Sequence, residues 1–257
     1  MRRNMSFKLG EMRQLGDHYL LCGDSTDEYT VKMFVQDRKI KLVACDPPYG
    51  VHYTESKEFL ETGTAKHRPI INDWITSESE YYKFSYSWLT SIVPHLTKKN
   101  SLYVFSSDIM LFPVREAMAH AGISFGQLLV WVKNHSVLGR LDYLPQHEMI
   151  LYGWYGTHEF MKSKDKSVLL CPKPNKSKLH PTMKPVSLLR RLILNSSKVG
   201  DYVFDGFGGS GSTLIACEQT KRKCLMIELD PDYCQVICDR FEMVTKIKPG
   251  KSEMLAI

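Results

Sequence analysis

Apolar positions along this chain switch between two spacings, a compact run or alternation typical of strands and the three-to-four residue recurrence of helices. His18 to Cys22 is a short apolar run closing in Gly23-Asp24-Ser25, which predicts a strand ending at an acid. Thr26 to Arg38 places Val31, Met33, Phe34 and Val35 behind Asp27 and Glu28, which predicts a short helix. Leu42 to Cys45 is continuously apolar and predicts a buried strand, which Pro47 and Pro48 stop because they cannot extend a ladder. The alternation continues with helices predicted over 79–96, 109–120, 186–195, 213–219 and 232–244, and strands over 101–106, 127–132, 147–154 and 224–227, with a further strand opening the segment 201–213. Residues 7–16 read as a lead-in. After Glu228 only one helix and a basic tail remain, so the sheet has to be completed by strands upstream.

Three stretches lack this periodicity. Residues 51–74 turn polar and predict a long loop, either a cover for a substrate or a plain insertion. Residues 133–146 and 155–178 are polar and basic, interleaved with Tyr143, Trp154, Tyr155 and Phe160. Lys133, Lys162, Lys164, Lys166, Lys173, Lys176 and Lys178 would neutralise phosphates there, so that 50–75, 133–146 and 155–178 form a candidate DNA face; a solvated lysine-rich surface has the same composition.

Composition narrows the class. A chain of 257 residues, 43% hydrophobic, can build one substantial core, and a single domain over 1–257 is expected. No apolar run is long enough to span a bilayer, and Met1-Arg2-Arg3-Asn4-Met5-Ser6 lacks the hydrophobic segment of a signal peptide, so a soluble cytoplasmic protein is expected. Seven cysteines are an odd number without C-x-x-C spacing, which argues for buried thiols and against a disulfide framework or a metal site. The net charge of +6 suits a polyanionic partner.

Candidate chemistry gathers at strand ends. Asp46-Pro47-Pro48-Tyr49 sets a carboxylate and an aromatic ring just beyond a strand, where open α/β sheets bind ligands. That pair suits a planar base with an exocyclic amine, the Asp46 carboxylate and Pro47 carbonyl accepting its N–H bonds while Tyr49 stacks on its face. The same four residues also spell an ordinary turn. Phe204-Asp205-Gly206-Phe207-Gly208-Gly209-Ser210-Gly211 runs from a strand through a glycine-rich turn into a helix, which suits close approach of a bound cofactor. Glu228 ends the next strand at about the separation where an acid meets ribose hydroxyls. His180-Pro181-Thr182-Met183-Lys184-Pro185 is a rigid turn before a helix, suited to holding a small carboxylate.

Taken in their order, these motifs resemble the beta-class amino DNA methyltransferases, over residues 18 to 242. The resemblance implies an α/β, Rossmann-like methyltransferase fold: a mixed, mostly parallel sheet with helices on both faces, in permuted motif order. It implies S-adenosylmethionine as cofactor, with Phe204, Asp205, Gly206, Gly208 and Gly211 around its methionine moiety. Glu228 would lie on the ribose, Asp24 on the adenine amine, and His180, Thr182 and Lys184 near the carboxylate. Gly206 stands where the family more commonly has Pro. Asp46, Pro47, Pro48 and Tyr49 would be catalytic, acting on the N6 of an adenine flipped out of double-stranded DNA. Cytosine N4 uses the same chemistry, although members acting there more often carry Ser at the Asp46 position. Methylation at cytosine C5 is set aside because the Pro-Cys pair it needs is absent. A catalytically silent DNA-binding module on the same fold remains the alternative from another class, and the resemblance leaves a homodimer and a restriction partner open.

Overall fold

The structure, a computed structural model, describes residues 7–49, 75, 77–136, 142–161, 164–173 and 183–257. Its centre is a ten-stranded sheet: β1 (Glu11–Leu15), β2 (His18–Cys22), β3 (Ile40–Cys45), β4 (Leu96–Ser106), β5 (Ile123–Val132), β6 (His147–Tyr155), β7 (Val168–Leu170), β8 (Tyr202–Asp205), β9 (Lys223–Glu228) and β10 (Ser252–Met254). The spatial order is β10-β1-β2-β9-β8-β3-β4-β6-β5-β7. From β2 to β4 every neighbouring pair is parallel, whereas β6 runs antiparallel to both β4 and β5. The mixed, mostly parallel sheet is the architecture the sequence implied.

Residue alternation explains how the sheet is covered on both sides. Leu42, Ala44, Tyr103 and Phe105 point to one face and pack with α4 (Val186–Ser196), α5 (Ser212–Thr220) and α6 (Pro231–Thr245). Val43, Cys45, Leu102 and Val104 point to the other, against α1 (Glu28–Val35), α2 (Glu78–Ile92) and α3 (Leu111–His120). Helix starts follow local chemistry: Asp27 caps α1 by accepting from the Thr30 amide, Ser77 caps α2 through the Glu80 amide, and Asp230 with Pro231 opens α6.

The connection β2-α1-β3 leads past two places later filled by β9 and β8. The chain thus reverses its direction of growth between β3 and β8, the kind of switch point where ligands bind. Four neighbouring parallel strands bring acids to that edge: Asp24 after β2, Glu228 closing β9, Asp205 closing β8 and Asp46 after β3.

Three strands depart from expectation. The lead-in contains β1, whose alternation was hidden because its buried positions include Glu11 and Arg13, paired with each other at 2.7 Å. The tail contains β10, three exposed residues that pair with β1, so the sheet is completed downstream after all. β7 lies inside the expected DNA face and pairs with β5, with the Trp131 indole donating to the Cys171 carbonyl at 2.7 Å. Among the described residues no helix is long and apolar enough to cross a membrane, and no cluster of His, Cys, Asp and Glu could hold a metal. All seven cysteines are free thiols, and all but Cys171 are buried.

Candidate active site

Asp46 sits where β3 gives way to the two prolines, and both of its oxygens are engaged. The Tyr49 hydroxyl donates to Oδ1 at 2.5 Å, and the Lys184 ammonium donates to Oδ2 at 2.6 Å. Lys184, on the approach to α4, is 7% exposed and lies 5.2 and 5.4 Å from the ring centres of Phe105 and Tyr49. The same ammonium pairs with Glu148 Oε2 at 3.0 Å, and Glu148 Oε1 pairs with Lys133 at 2.8 Å. Glu148 reaches the site because β6 is antiparallel: its beginning lies level with the ends of the parallel strands.

This row of alternating charges decides its own ionisation. Burial raises the Asp46 carboxyl and Glu148 adds to the rise, against the pull of Lys184. Burial alone would lower Lys184, but Asp46 and Glu148 outweigh it and hold the lysine above its ordinary value. Burial would raise Glu148, yet Lys184 and Lys133 bring it down to about 2. Two buried lysines and two carboxyl groups therefore alternate along one row.

On the other side of the same opening lies the glycine turn. A cleft is lined by Asp46, Met183 and Lys184 on one side and by Asp205, Phe207, Gly208, Gly209 and Ser210 on the other. Gly208 is packed so closely that a Cβ would meet Met226 Cγ at 2.9 Å, and Gly211 has a φ of +77°. The Arg240 guanidinium of α6 is buried beneath the turn and donates to the Ser210 carbonyl at 2.8 Å and the Ser212 hydroxyl at 3.1 Å. Glu228 accepts from the Gly209 amide at 2.6 Å and the Asp230 amide at 2.9 Å. Burial pushes both Asp205 and Glu228 up to about 7.

An acidic strand tip and a glycine turn thus share one cleft, and comparison with known proteins says which family builds it. The N6/N4 methyltransferase family model, described as DNA methylase, matches residues 40–239. The chain belongs to this DNA methylase family. It is 24% identical over 235 residues to the type II methyltransferase M.HpaI of Haemophilus parainfluenzae, covering 81% of this chain and 70% of that protein. It is 24% identical over 266 aligned positions to the type II methyltransferase M2.DpnII of Streptococcus pneumoniae, covering 93% and 97% respectively. In fold it is similar to the cytosine-N4-specific PvuII DNA methyltransferase, with a TM-score of 0.73 at 17% identity over 91% of this chain and 90% of that one. It is also similar to M1.HpyAVI in its complex with SAM, with a TM-score of 0.63 at 21% identity over 86% and 98%.

Within this DNA methylase, the expected site residues are placed as follows, and some of them sit differently from expectation. Lys133, assigned to the DNA face, is 5% exposed and bound to Glu148, so it has no surface to offer a phosphate. Lys184 is on Asp46 and Glu148, where its charge is already matched by two carboxylates. Tyr49 is half-buried with its hydroxyl on Asp46 rather than presenting an open face. Phe204 is fully buried in the α1–α3 side of the core, whereas Phe207, which meets Trp88 edge-on at 5.5 Å, lines the cleft together with Phe105 of β4. Gly206 and Gly211 shape the turn from behind: the Gly206 amide donates to the Cys45 thiol at 3.3 Å, and Gly211 packs on Ile237. Asp24 is partly exposed beyond β2, with its Oδ1 accepting from the amide and hydroxyl of Thr26. Lys164 is exposed, while the Lys173 amide donates to Asn134 Oδ1 at 3.0 Å. His180, Thr182, Lys162, Lys176 and Lys178 lie outside the described residues, as does most of the loop 50–75. Glu148, Arg240 and Phe207 were missed; for Glu148 the only signal was an acid opening an otherwise apolar strand.

Proposed function

We propose that this DNA methylase transfers the methyl group of S-adenosylmethionine to the exocyclic N6 of an adenine flipped out of double-stranded DNA. The observation that carries the reading is that Asp46 and the glycine turn, far apart in sequence, line one cleft. The donor set suits this cofactor. Two carboxylates, Asp205 and Glu228, sit where their burial favours a partner with hydroxyl donors or positive charge, and the close-packed glycines let a ligand approach the backbone. Glu228 would hold the ribose hydroxyls, Asp24 the cofactor's adenine amine, and Asp205 with Phe207 the methionine end.

When bound, S-adenosylmethionine supplies an electrophilic methyl on a sulfonium. Asp46 and the Pro47 carbonyl act on the other partner. An aromatic amine is a weak nucleophile because its lone pair is shared with the ring, and acceptors aimed at its two N–H bonds favour the pyramidal nitrogen formed during attack. Tyr49 would exchange its bond to Asp46 Oδ1 for stacking on the flipped base, leaving that oxygen to the amine. With its carboxyl raised by burial, Asp46 is placed to take the proton that the methylated nitrogen sheds.

Adenine is favoured by the carboxylate at position 46, where cytosine-N4 enzymes of the resembling class more often carry Ser. A second reading, cytosine N4, is supported by the likeness in fold to the PvuII enzyme, whose name specifies that base. The type II methyltransferases among the relatives support a modification role beside a restriction enzyme. The deciding experiment labels unmethylated duplex DNA with a tritiated methyl donor and separates the nucleosides after digestion. Label in N6-methyladenine is expected; label in N4-methylcytosine transfers the assignment to the second reading, and DNA binding with no label supports the silent module.

A further inference from the structure

Lys184 is the unusual member of the site. A lysine beside the acceptor that must bind an uncharged amine is a competitor, because an ammonium fully committed to Asp46 would occupy the lone pairs the amine needs. The structure divides that ammonium: it lies 2.6 Å from Asp46 Oδ2 and 3.0 Å from Glu148 Oε2. Glu148 is fixed in turn by Lys133 at 2.8 Å, a lysine itself 5% exposed and 5.4 Å from the Trp131 ring centre. Glu148 itself lies on β6, in register with Trp131 of β5, and Lys133 follows directly after β5.

We propose that Glu148 is a positioning residue for methyl transfer, holding Lys184 between two carboxylates so that its ammonium stays on Oδ2 of Asp46 and Oδ1, once Tyr49 releases it, is left to accept the target amine. It rests on the methyl-transfer reading above and adds a residue to it. Glu148 touches neither the base nor the donor; it acts through Lys184. The groups facing Asp46 are the Lys184 ammonium, the Tyr49 hydroxyl, Glu148, the Asp205 carboxyl on the neighbouring strand tip and the Cys45 thiol next to it in the chain. Of these, Glu148 is the one whose charge opposes ionisation of Asp46 and can be removed without touching the cleft.

The test measures single-turnover methyl transfer by the full chain and by Glu148→Gln on unmethylated mixed-sequence duplex, over a range of about pH 5 to 9. The transfer rate should fall about 100-fold at saturating donor and DNA, as expected for displaced chemistry, while both affinities stay within about threefold. The acid limb of the rate profile should move to lower pH, because Asp46 loses a negative neighbour, and Glu148→Asp should restore part of the rate. An unaltered rate with an unmoved acid limb overturns the inference, and so does a loss of thermal stability with the rate per folded molecule unchanged. Should Glu148→Gln fail to fold, Lys133→Met with Glu148→Gln removes the outer ion pair together and leaves Lys184 wholly on Asp46; the same rate loss is expected, and an unaltered rate overturns the inference. Absence of transfer by the unsubstituted chain would instead remove the proposed function and this inference with it.

Discussion

At the scale of single residues, the site is governed by how burial moves carboxyl groups. Asp46→Asn keeps the shape of the site but removes the charge that steadies a nitrogen turning positive, so transfer should fall at least about 100-fold. Donor affinity, measured by calorimetry, should change by no more than a few fold, since in the proposed reaction Asp46 would hold the base while the glycine turn would hold the donor; a lost cofactor site would mark Asp46 as structural. Asp205 permits a prediction of opposite kind. Its folded value of about 7 lies above its ordinary 3.8, so it contributes stability that is fully present below pH 3.8 and lost as pH rises through 7. Asparagine cannot ionise and can still accept from the Phe207 amide, now 3.1 Å from Asp205 Oδ1. The cofactor-free Asp205→Asn chain should therefore gain on the parent between pH 5 and 8, by on the order of 2 kcal/mol at the upper end. Urea titrations at both pH values check this, and a gain that does not grow with pH would mean Asp205 is already ionised at pH 5.

At the scale of elements, the turn 206–211 works by closeness. A Cβ at Gly208 would lie 2.9 Å from Met226 Cγ, 3.0 Å from its Sδ and 3.1 Å from Ile237 Cδ1, so β9 and α6 would both have to give way. Gly200 also has a positive φ but meets nothing within 4 Å. Gly208→Ala should cost about 1–3 kcal/mol from overpacking and weaken donor binding, whereas Gly200→Ala should cost about 1 kcal/mol from backbone strain and leave donor binding alone. Denaturant midpoints and donor titrations on the two variants separate these outcomes. The same element shows what a sequence reveals and what it hides. A strand followed by glycines and an acid is legible because backbone demands restrict residue type, and so was the strand carrying Asp46, because two prolines must stop a ladder. β1 was not legible, since a buried Glu11–Arg13 pair breaks the apolar pattern, and β10 was not, since three exposed residues carry no pattern. Glu148 was hidden for a further reason: chemistry was expected at the ends of parallel strands, and an antiparallel strand brings its beginning to that edge.

At the scale of the whole molecule, the net charge of +6 is informative only once the lysines are sorted by what they already hold. Lys133 and Lys184 are spent on Glu148 and Asp46, and Lys41 is buried against Glu159 at 3.1 Å. Charge available to a phosphate backbone has to come from exposed lysines, among them Lys164 and Lys166. The segment between them is well anchored: the Asp165 carboxylate accepts from Arg191 Nε at 2.9 Å and from Asn195 at 2.7 Å, both on α4. A held backbone with cationic ends costs less ordering on binding than a free loop, which favours this surface as part of the DNA face. Lys164→Glu with Lys166→Glu should weaken duplex binding across all sequences and reduce the slope of log affinity against log salt by about 2, since each phosphate no longer neutralised lowers it by about 0.9. Lys133→Met should leave that slope unchanged, because its charge never faces the solvent, and should lower the transfer rate instead. Fluorescence anisotropy over a salt series distinguishes the two; an equal drop in slope for both would mean that the Lys133–Glu148 pair opens when DNA binds, and an unchanged slope for the double variant would place the DNA on another face.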